Sequence, residues 1–331
     1  MGVVMPSVDR VGRRFPLTLM APLSTPGPAP VDHLGAERVF EKLEDLALLA
    51  LEDTTTQAHL RNGLQTIPIP SPPDAPPIRA MGATVVGGDA IMNSQTDYRF
   101  TVQTHVGLVR KINEDAVLGL PEHSIWLVSD GMGGHEAGDY ASRLIADSVA
   151  TIPLGLDPGA RMHALREAIQ TAHNAIQTEA ARRGGGTIGA TVAALLMTTG
   201  HFVALWAGDS RIYRLRDGDL QMLTIDHSAV AEYVTAGKMT WDEAEQHPQS
   251  NAITRAVGVG EDLEIDKIRG ETQSGDRFLI CSDGLTKYTT HAMLERVLQE
   301  NALENVGESL MQIAIAGGGA DNISIIIVDV Q

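Results

Sequence analysis

Hydrophobic positions change their period along the chain. From Tyr98 to Val106 apolar and polar residues alternate, as in a half-buried strand. Ser124-Ile125-Trp126-Leu127-Val128-Ser129 is a short apolar run that stops at Asp130-Gly131. Strand-like segments follow at Ala190 to Met197, His201 to Trp206, Arg211 to Leu215, Arg277 to Cys281 and Asn322 to Val328. The first three of these are spaced as an antiparallel meander, and Arg216-Asp217-Gly218-Asp219 reads as a hairpin turn. Helical spacing lies between. Ala137 to Thr151 is one helix, and Arg161 to Arg182 a longer one with Leu165, Ala168, Ile169, Ala172, Ala175 and Ile176 on its apolar face. Ser228 to Glu245 forms a helical patch and Ala292 to Glu300 a further helix. Strands come in groups instead of alternating one for one with helices, which favours antiparallel sheets packed with helices, an α+β architecture, over a doubly wound parallel sheet. There is no internal repeat and no P-loop signature.

The first part of the chain is built differently. Residues 1 to about 30 are rich in proline and glycine and read as extended. A helix is expected over Val31 to Ala58, with Val39, Phe40, Leu43, Leu46, Leu48 and Leu49 as a broad apolar stripe. Ile67 through Pro77 carries too many prolines for helix or central sheet and reads as a stiff polyproline stretch. The division expected is therefore 1–77, a linker over 78–95, and a main domain over 96–331. The small N-terminal piece lacks the length for an independent core.

Composition narrows the function classes. With 331 residues, 43% hydrophobic and 20% charged, the chain is an ordinary globular composition. A net charge of -17 argues against nucleic acid, whose phosphates need Lys and Arg surfaces. One cysteine excludes a disulfide framework and fits a reducing compartment, so a cytoplasmic location is expected. No apolar run reaches the ~18 residues of a membrane helix. Arg13-Arg14 before an apolar stretch imitates a twin-arginine export signal, but Pro16 and Pro22 interrupt it and no clean small-residue cleavage site follows.

The candidate chemistry lies at strand ends. Asp130-Gly131, Gly208-Asp209, Asp283-Gly284 and Ala320-Asp321 each adjoin an apolar strand. Any one such pair is most simply a hairpin turn. Four in series point to one shared site, and acidic oxygens without His or Cys partners select Mg²⁺ or Mn²⁺. An acidic protein acting on phosphate needs such ions to overcome repulsion, so charge and motif agree.

Upstream, Arg110-Lys111-Ile112-Asn113-Glu114-Asp115 follows Val106-Gly107-Leu108-Val109. Together with Asp130-Gly131-Met132-Gly133-Gly134-His135, Gly189-Ala190-Thr191, Gly208-Asp209-Ser210-Arg211, Ser282-Asp283-Gly284 and Asp321-Asn322, this order resembles the metal-dependent Ser/Thr protein phosphatases of the PPM or PP2C family. The match spans residues 98 to 331. The resemblance implies a four-layer α-β-β-α sandwich of two antiparallel sheets flanked by helices, with two ions, Mn²⁺ or Mg²⁺, in the cleft. It implies that Asp130 bridges both ions, that Glu114 and the Gly131 carbonyl bind one, and that Asp283 and Asp321 complete the other. Two ions ~3.5–4 Å apart would activate a water for in-line attack on phosphorus, with no phosphoenzyme. Arg110 would hold the substrate phosphate through its planar fork. Asp115 is either a ligand or a neighbour that orients one.

Asp209 matches the family position of a third, weaker ion. The carboxylate expected four residues beyond Asp283 is Lys287 here, and an ammonium repels a cation, so a permanently filled third site is not expected. Met132 stands where animal members carry histidine; its thioether cannot donate a proton, which leaves metal-held water or His135 as leaving-group acid. Ser228 to Gly258 resembles the family's flap beside the cleft. Cys281 and Lys287 imitate a cysteine phosphatase loop, but Cys281 sits in the apolar run Phe278-Leu279-Ile280 and reads as core.

Met5-Pro6-Ser7-Val8-Asp9-Arg10-Val11-Gly12-Arg13-Arg14-Phe15-Pro16 resembles the signature of TagF/ImpM proteins that accompany type VI secretion, although only part of that domain is present and Met92 is an alternative start. This implies a monomeric phosphatase opposing a membrane-bound Ser/Thr kinase on a phosphorylated scaffold with a forkhead-associated (FHA) domain. The rival readings are a catalytically silent phosphoprotein-binding regulator and an adaptor acting through residues 1–60. Intact Arg110, Glu114, Asp130, Asp283 and Asp321 count against a silent member.

Overall fold

The computed structural model describes residues 98–331, apart from Gly134, His135 and the side chain of Glu136. The expectations for the N-terminal helix, the proline stretch, the linker and His135 lie outside the described residues.

The strands are β1 (Tyr98–His105), β2 (Asp115–Leu120), β3 (Ile125–Met132), β4 (Gly189–Ala190), β5 (Val192–Thr198), β6 (His201–Ala207), β7 (Arg211–Arg216), β8 (Asp219–Met222), β9 (Asp266–Glu271), β10 (Arg277–Cys281) and β11 (Ile323–Val330). One sheet runs β1-β11-β10-β7-β8 and the other β2-β3-β5-β6-β9, with β4 beside β3. Every strand pair is antiparallel. Helices α1 (Glu136–Ala150) and α2 (Pro158–Arg182) pack on the second sheet, and α6 (His291–Glu300) and α7 (Leu303–Ala316) on the first. In the chain, α3 (Ala231–Thr235) and α4 (Trp241–Glu245) connect β8 to β9, and α5 (Asp283–Thr286) follows β10, each a short turn of helix. The four-layer sandwich expected from the resemblance is the architecture found.

Three cores follow from the pleat. On β3, Ile125 and Leu127 face α1 and α2, while Trp126 and Val128 face the other sheet. On β11, Ile323, Ile325 and Ile327 face α6 and α7, while Ile326 and Val328 face inward. Strands buried on both faces must be apolar throughout, which is why these segments read as unbroken runs in sequence. Phe202 on β6 and Phe278 on β10 meet edge to face across the sheets at 5.1 Å. Cys281 lies fully buried on β10 beside Leu279 and Tyr213, and burial pushes its thiol up to about 12.

The structure corrects the sequence reading in several places. The meander expected over 190–215 breaks after β6: β7 joins the other sheet and pairs with β10. Gly208, at φ 116 and packed against Thr191, makes that exit, because a Cβ there would meet the Thr191 side chain at 2.6 Å. The hairpin at 216–219 is present, with Asp217 and Gly218 both at positive φ. The patch over 228–245 is two one-turn helices, α3 and α4, the second begun by a Thr240–Glu243 capping box. Helix α7 and strands β2 and β9 were not anticipated.

Candidate metal centre

The acids converge because the ends of the two sheets are stitched together by backbone and hydroxyl contacts. β3 does not stop at Ser129, as its sequence suggested, but continues through Asp130 and Gly131 to Met132. Asp130 thereby stands in register with Asp115 on β2, side by side on one face of the sheet. Thr191 clamps Asp130 from the other side: its hydroxyl accepts the Asp130 N–H at 2.9 Å and its own N–H donates to the Asp130 carbonyl at 2.8 Å. Ser210 meets the same hydroxyl at 2.7 Å, fixing the Gly208-Asp209-Ser210 turn against Asp130.

The opposite wall comes from the first sheet. Ser282 donates to Asp115 Oδ2 at 2.9 Å and accepts the Ser324 N–H at 3.0 Å. Asp283 opens α5, and Gly284 after it packs so closely that a Cβ would sit 1.9 Å from the Asn322 carbonyl oxygen. That approach brings Asp283 beside Asp321. Gly107, at φ 80, makes a second one, since a Cβ there would lie 2.2 Å from the Asp321 carbonyl oxygen. Gly131 and Gly138 are similarly pressed together around Glu114: a Cβ on Gly131 would meet the Gly138 oxygen at 2.2 Å, and one on Gly138 would meet Glu114 Oε1 at 2.8 Å.

Packing acids this tightly raises their proton affinity. Burial, then repulsion from Asp115, Asp283, Asp209 and Asp321, pushes Asp130 well above the usual carboxylate range. Burial lifts Asp115 to about 7, partly offset by hydrogen bonds from Ser324 and Ser282. Asp209 is raised by burial and by Asp283 and Asp226, with Lys287 and Arg211 working against it. Asp321 departs from this pattern: burial pushes it up, but Lys287 and Arg110 outweigh burial and hold it below its ordinary value. Arg110 grips Asp321 with both prongs, Nε to Oδ1 at 2.9 Å and Nη2 to Oδ2 at 3.0 Å. Its side chain is half exposed at the mouth of the cleft.

The donor set fits hard divalent ions. It consists of oxygens alone, and Asp115 Oδ1, Asp209 Oδ1 and Asp283 Oδ1 are buried without a hydrogen-bond partner. As the side chains stand, no three His, Cys, Asp or Glu residues among those described already form a cage. Lys287 Nζ lies between two of these acids, 2.6 Å from Asp283 Oδ2 and 3.2 Å from Asp321 Oδ2.

Sequence reasoning passed over several residues. Asn322 carries no assignable role in the sequence beyond its place after Asp321, yet its carboxamide donates to the Val106 and Ile112 carbonyls and accepts the Glu114 N–H. Buried Arg211 pairs with Asp226 and Glu245, each at 2.7 Å, and stacks on Trp241. These residues tie α4 to the site around a cavity of about 10 Å³, room for one water, bordered by Asp209 and Asp283. Asp226 and Glu245 carried no signal in sequence because their pairing is made entirely by the fold.

Comparison with known proteins agrees with this geometry. The protein phosphatase 2C family profile matches residues 109–316, and that of the TagF N-terminal domain, associated with type VI secretion systems, matches residues 1–67. The serine/threonine protein phosphatase PstP of Mycobacterium tuberculosis is 34% identical over 236 residues, which is 70% of this chain and 45% of that protein; the chain thus spans under half the length of this relative. The solved structure of PppA, a key regulatory component of the type VI secretion system in Pseudomonas aeruginosa, superposes with a TM-score of 0.66 at 40% identity, over 71% of this chain and 98% of the other. The PstP catalytic domain in complex with two manganese ions superposes with a TM-score of 0.62 at 32% identity, over 70% and 97% of the two chains. By fold, by motif order and by a family match over more than half its length, the chain belongs to the protein phosphatase 2C family.

Proposed function

We propose that residues 96–331 hydrolyse phosphoserine and phosphothreonine in proteins with the help of two divalent ions, Mn²⁺ or Mg²⁺. The observation that carries this is the set of buried, mutually repelling carboxylates at the sheet ends, with oxygens of Asp115, Asp209 and Asp283 left without donors. Asp130, Glu114, the Gly131 carbonyl, Asp283 and Asp321 are the groups that would hold the ions. The bound ions supply a polarised phosphate and an acidified water for in-line displacement. Asp115, fixed by Ser282, orients its neighbours at the floor of the cleft. Arg110 turns its fork from Asp321 to the incoming phosphate. Asp209 borders the small cavity behind the site and is at most a weak third position beside Lys287. Met132 cannot protonate the leaving alkoxide, and His135 remains the side-chain candidate.

A protein substrate suits the surroundings. Leu108, Val109 and Ile112 are 63%, 68% and 45% exposed around Arg110, an apolar rim with no use for a small phosphoester. The match of residues 1–67 to the TagF N-terminal domain, with the likeness to PppA, supports a part in type VI secretion. Within it, the chain would act as a monomer on a phosphorylated FHA-domain scaffold, opposing a Ser/Thr kinase, with residues 1–77 as a TagF-like segment and 78–95 as linker. Among the described residues no helix is long and apolar enough to cross a membrane. Assay of p-nitrophenyl phosphate and a phosphothreonine peptide with Mn²⁺, with and without chelator, tests the chemistry. Turnover that vanishes with chelator is expected; absence of metal-dependent turnover would leave a binding protein instead.

A further inference from the structure

Lys287 lies one helical turn beyond Asp283, and only 20% of its side chain is exposed. Its ammonium is not a wandering surface charge. It sits 2.6 Å from Asp283 Oδ2 and 3.2 Å from Asp321 Oδ2, between two acids from distant strands. Two carboxylates at this distance favour the charged ammonium over the free amine. The distribution of such partners is lopsided. Asp283 and Asp321 have a lysine between them and Asp321 has Arg110 as well, whereas Asp115 and Asp130 form no ion pair among the described residues.

We propose that Lys287 is a built-in counter-cation for the Asp283–Asp321 pair, holding the two acids together before ions arrive and competing with the second ion for them. This rests on the two-ion reading above and concerns how one half of that site is filled. The ammonium holds the two oxygens that face each other across the pair, Asp283 Oδ2 and Asp321 Oδ2. An ion taking those oxygens must therefore displace the ammonium, whereas Asp130, on the other side of the site, is in no ion pair among the described residues. Filling is then stepwise, with a tight first ion and a weaker second.

Calorimetric titration of Mn²⁺ into the chelator-stripped full chain, compared with Lys287→Met, tests this without any assay of turnover. Met keeps length and apolar stem and removes the charge. We expect the weaker binding event to tighten by about tenfold in the variant and the stronger to move by less than about threefold, with the ion-free variant melting at a lower temperature than the ion-free parent. Lys287→Arg, which keeps the charge, retains the two unequal events and guards against a folding defect. Equal or weaker second-ion binding in Lys287→Met overturns the proposal. A parent chain that takes up no Mn²⁺ overturns it together with the two-ion reading, whereas two ions bound alike by parent and variant overturn it alone.

Discussion

Asn322 Oδ1 accepts the backbone N–H of Glu114 at 2.8 Å, joining the start of β11 to the loop that leads into β2. The same carboxamide donates to Val106 and Ile112, so a single side chain holds the Arg110 loop and the Glu114 backbone in one frame. In Asn322→Ala three partly buried backbone groups lose their partner. We expect a loss of about 3 kcal/mol in urea unfolding of the ion-free protein, together with weaker Mn²⁺ binding. Unchanged values for both would show that the frame stands without it.

Gly284 has no room for a side chain against the Asn322 carbonyl. Gly284→Ala should cost about 3 kcal/mol in stability and separate Asp283 from Asp321, because the obstacle is backbone on both sides. Gly155, whose surroundings are open but whose φ is 79, is the control: Gly155→Ala carries only local backbone strain and should leave Mn²⁺ binding alone.

The raised acids give the ion-free protein a characteristic pH dependence. Asp115 keeps its proton to about 7 in the fold but releases it near 3.8 when unfolded. Between those values the folded state binds more protons, so the contribution of Asp115 to stability is greatest below pH 4 and is lost as pH rises to about 7. Asp130 and Asp209 act in the same direction. Asp321, lowered by Lys287 and Arg110, acts oppositely and only below its ordinary value. Urea unfolding in chelator across pH 5 to 8 checks the slope. Saturating Mn²⁺ should reverse it, since ions bind the deprotonated acids.

Arg110→Lys keeps a charge but loses the fork. A drop of about 100-fold in kcat/KM on both p-nitrophenyl phosphate and a phosphopeptide is expected. Val109→Ser, on the rim, should leave p-nitrophenyl phosphate untouched and raise KM for the phosphopeptide alone. Equal effects on both substrates would deny the rim a part in recognising protein.

Much of this site was legible because acids at strand ends leave local marks: an apolar run, an acid, a glycine. Asp130, Asp209, Asp283 and Asp321 each show that signature. What could not be read were relations made at a distance. Asp226 and Glu245 look like surface acids until buried Arg211 is found between them, a charge that only the fold can neutralise. Lys287 was read as an obstacle to a third ion, from its spacing to Asp283; its contact with Asp321 depends on Gly284 closing on Asn322, which no spacing reveals. Strand β7 was placed in the wrong sheet because the turn at Gly208 looks like any hairpin, and its left-handed exit appears only in the backbone.

The burial of Cys281 reaches beyond packing. A sulfur walled off by Leu279 and Tyr213 and kept in its thiol form offers oxidants nothing to attack, and it is the sole cysteine of the chain. The dephosphorylation proposed above would therefore owe nothing to a reactive thiolate.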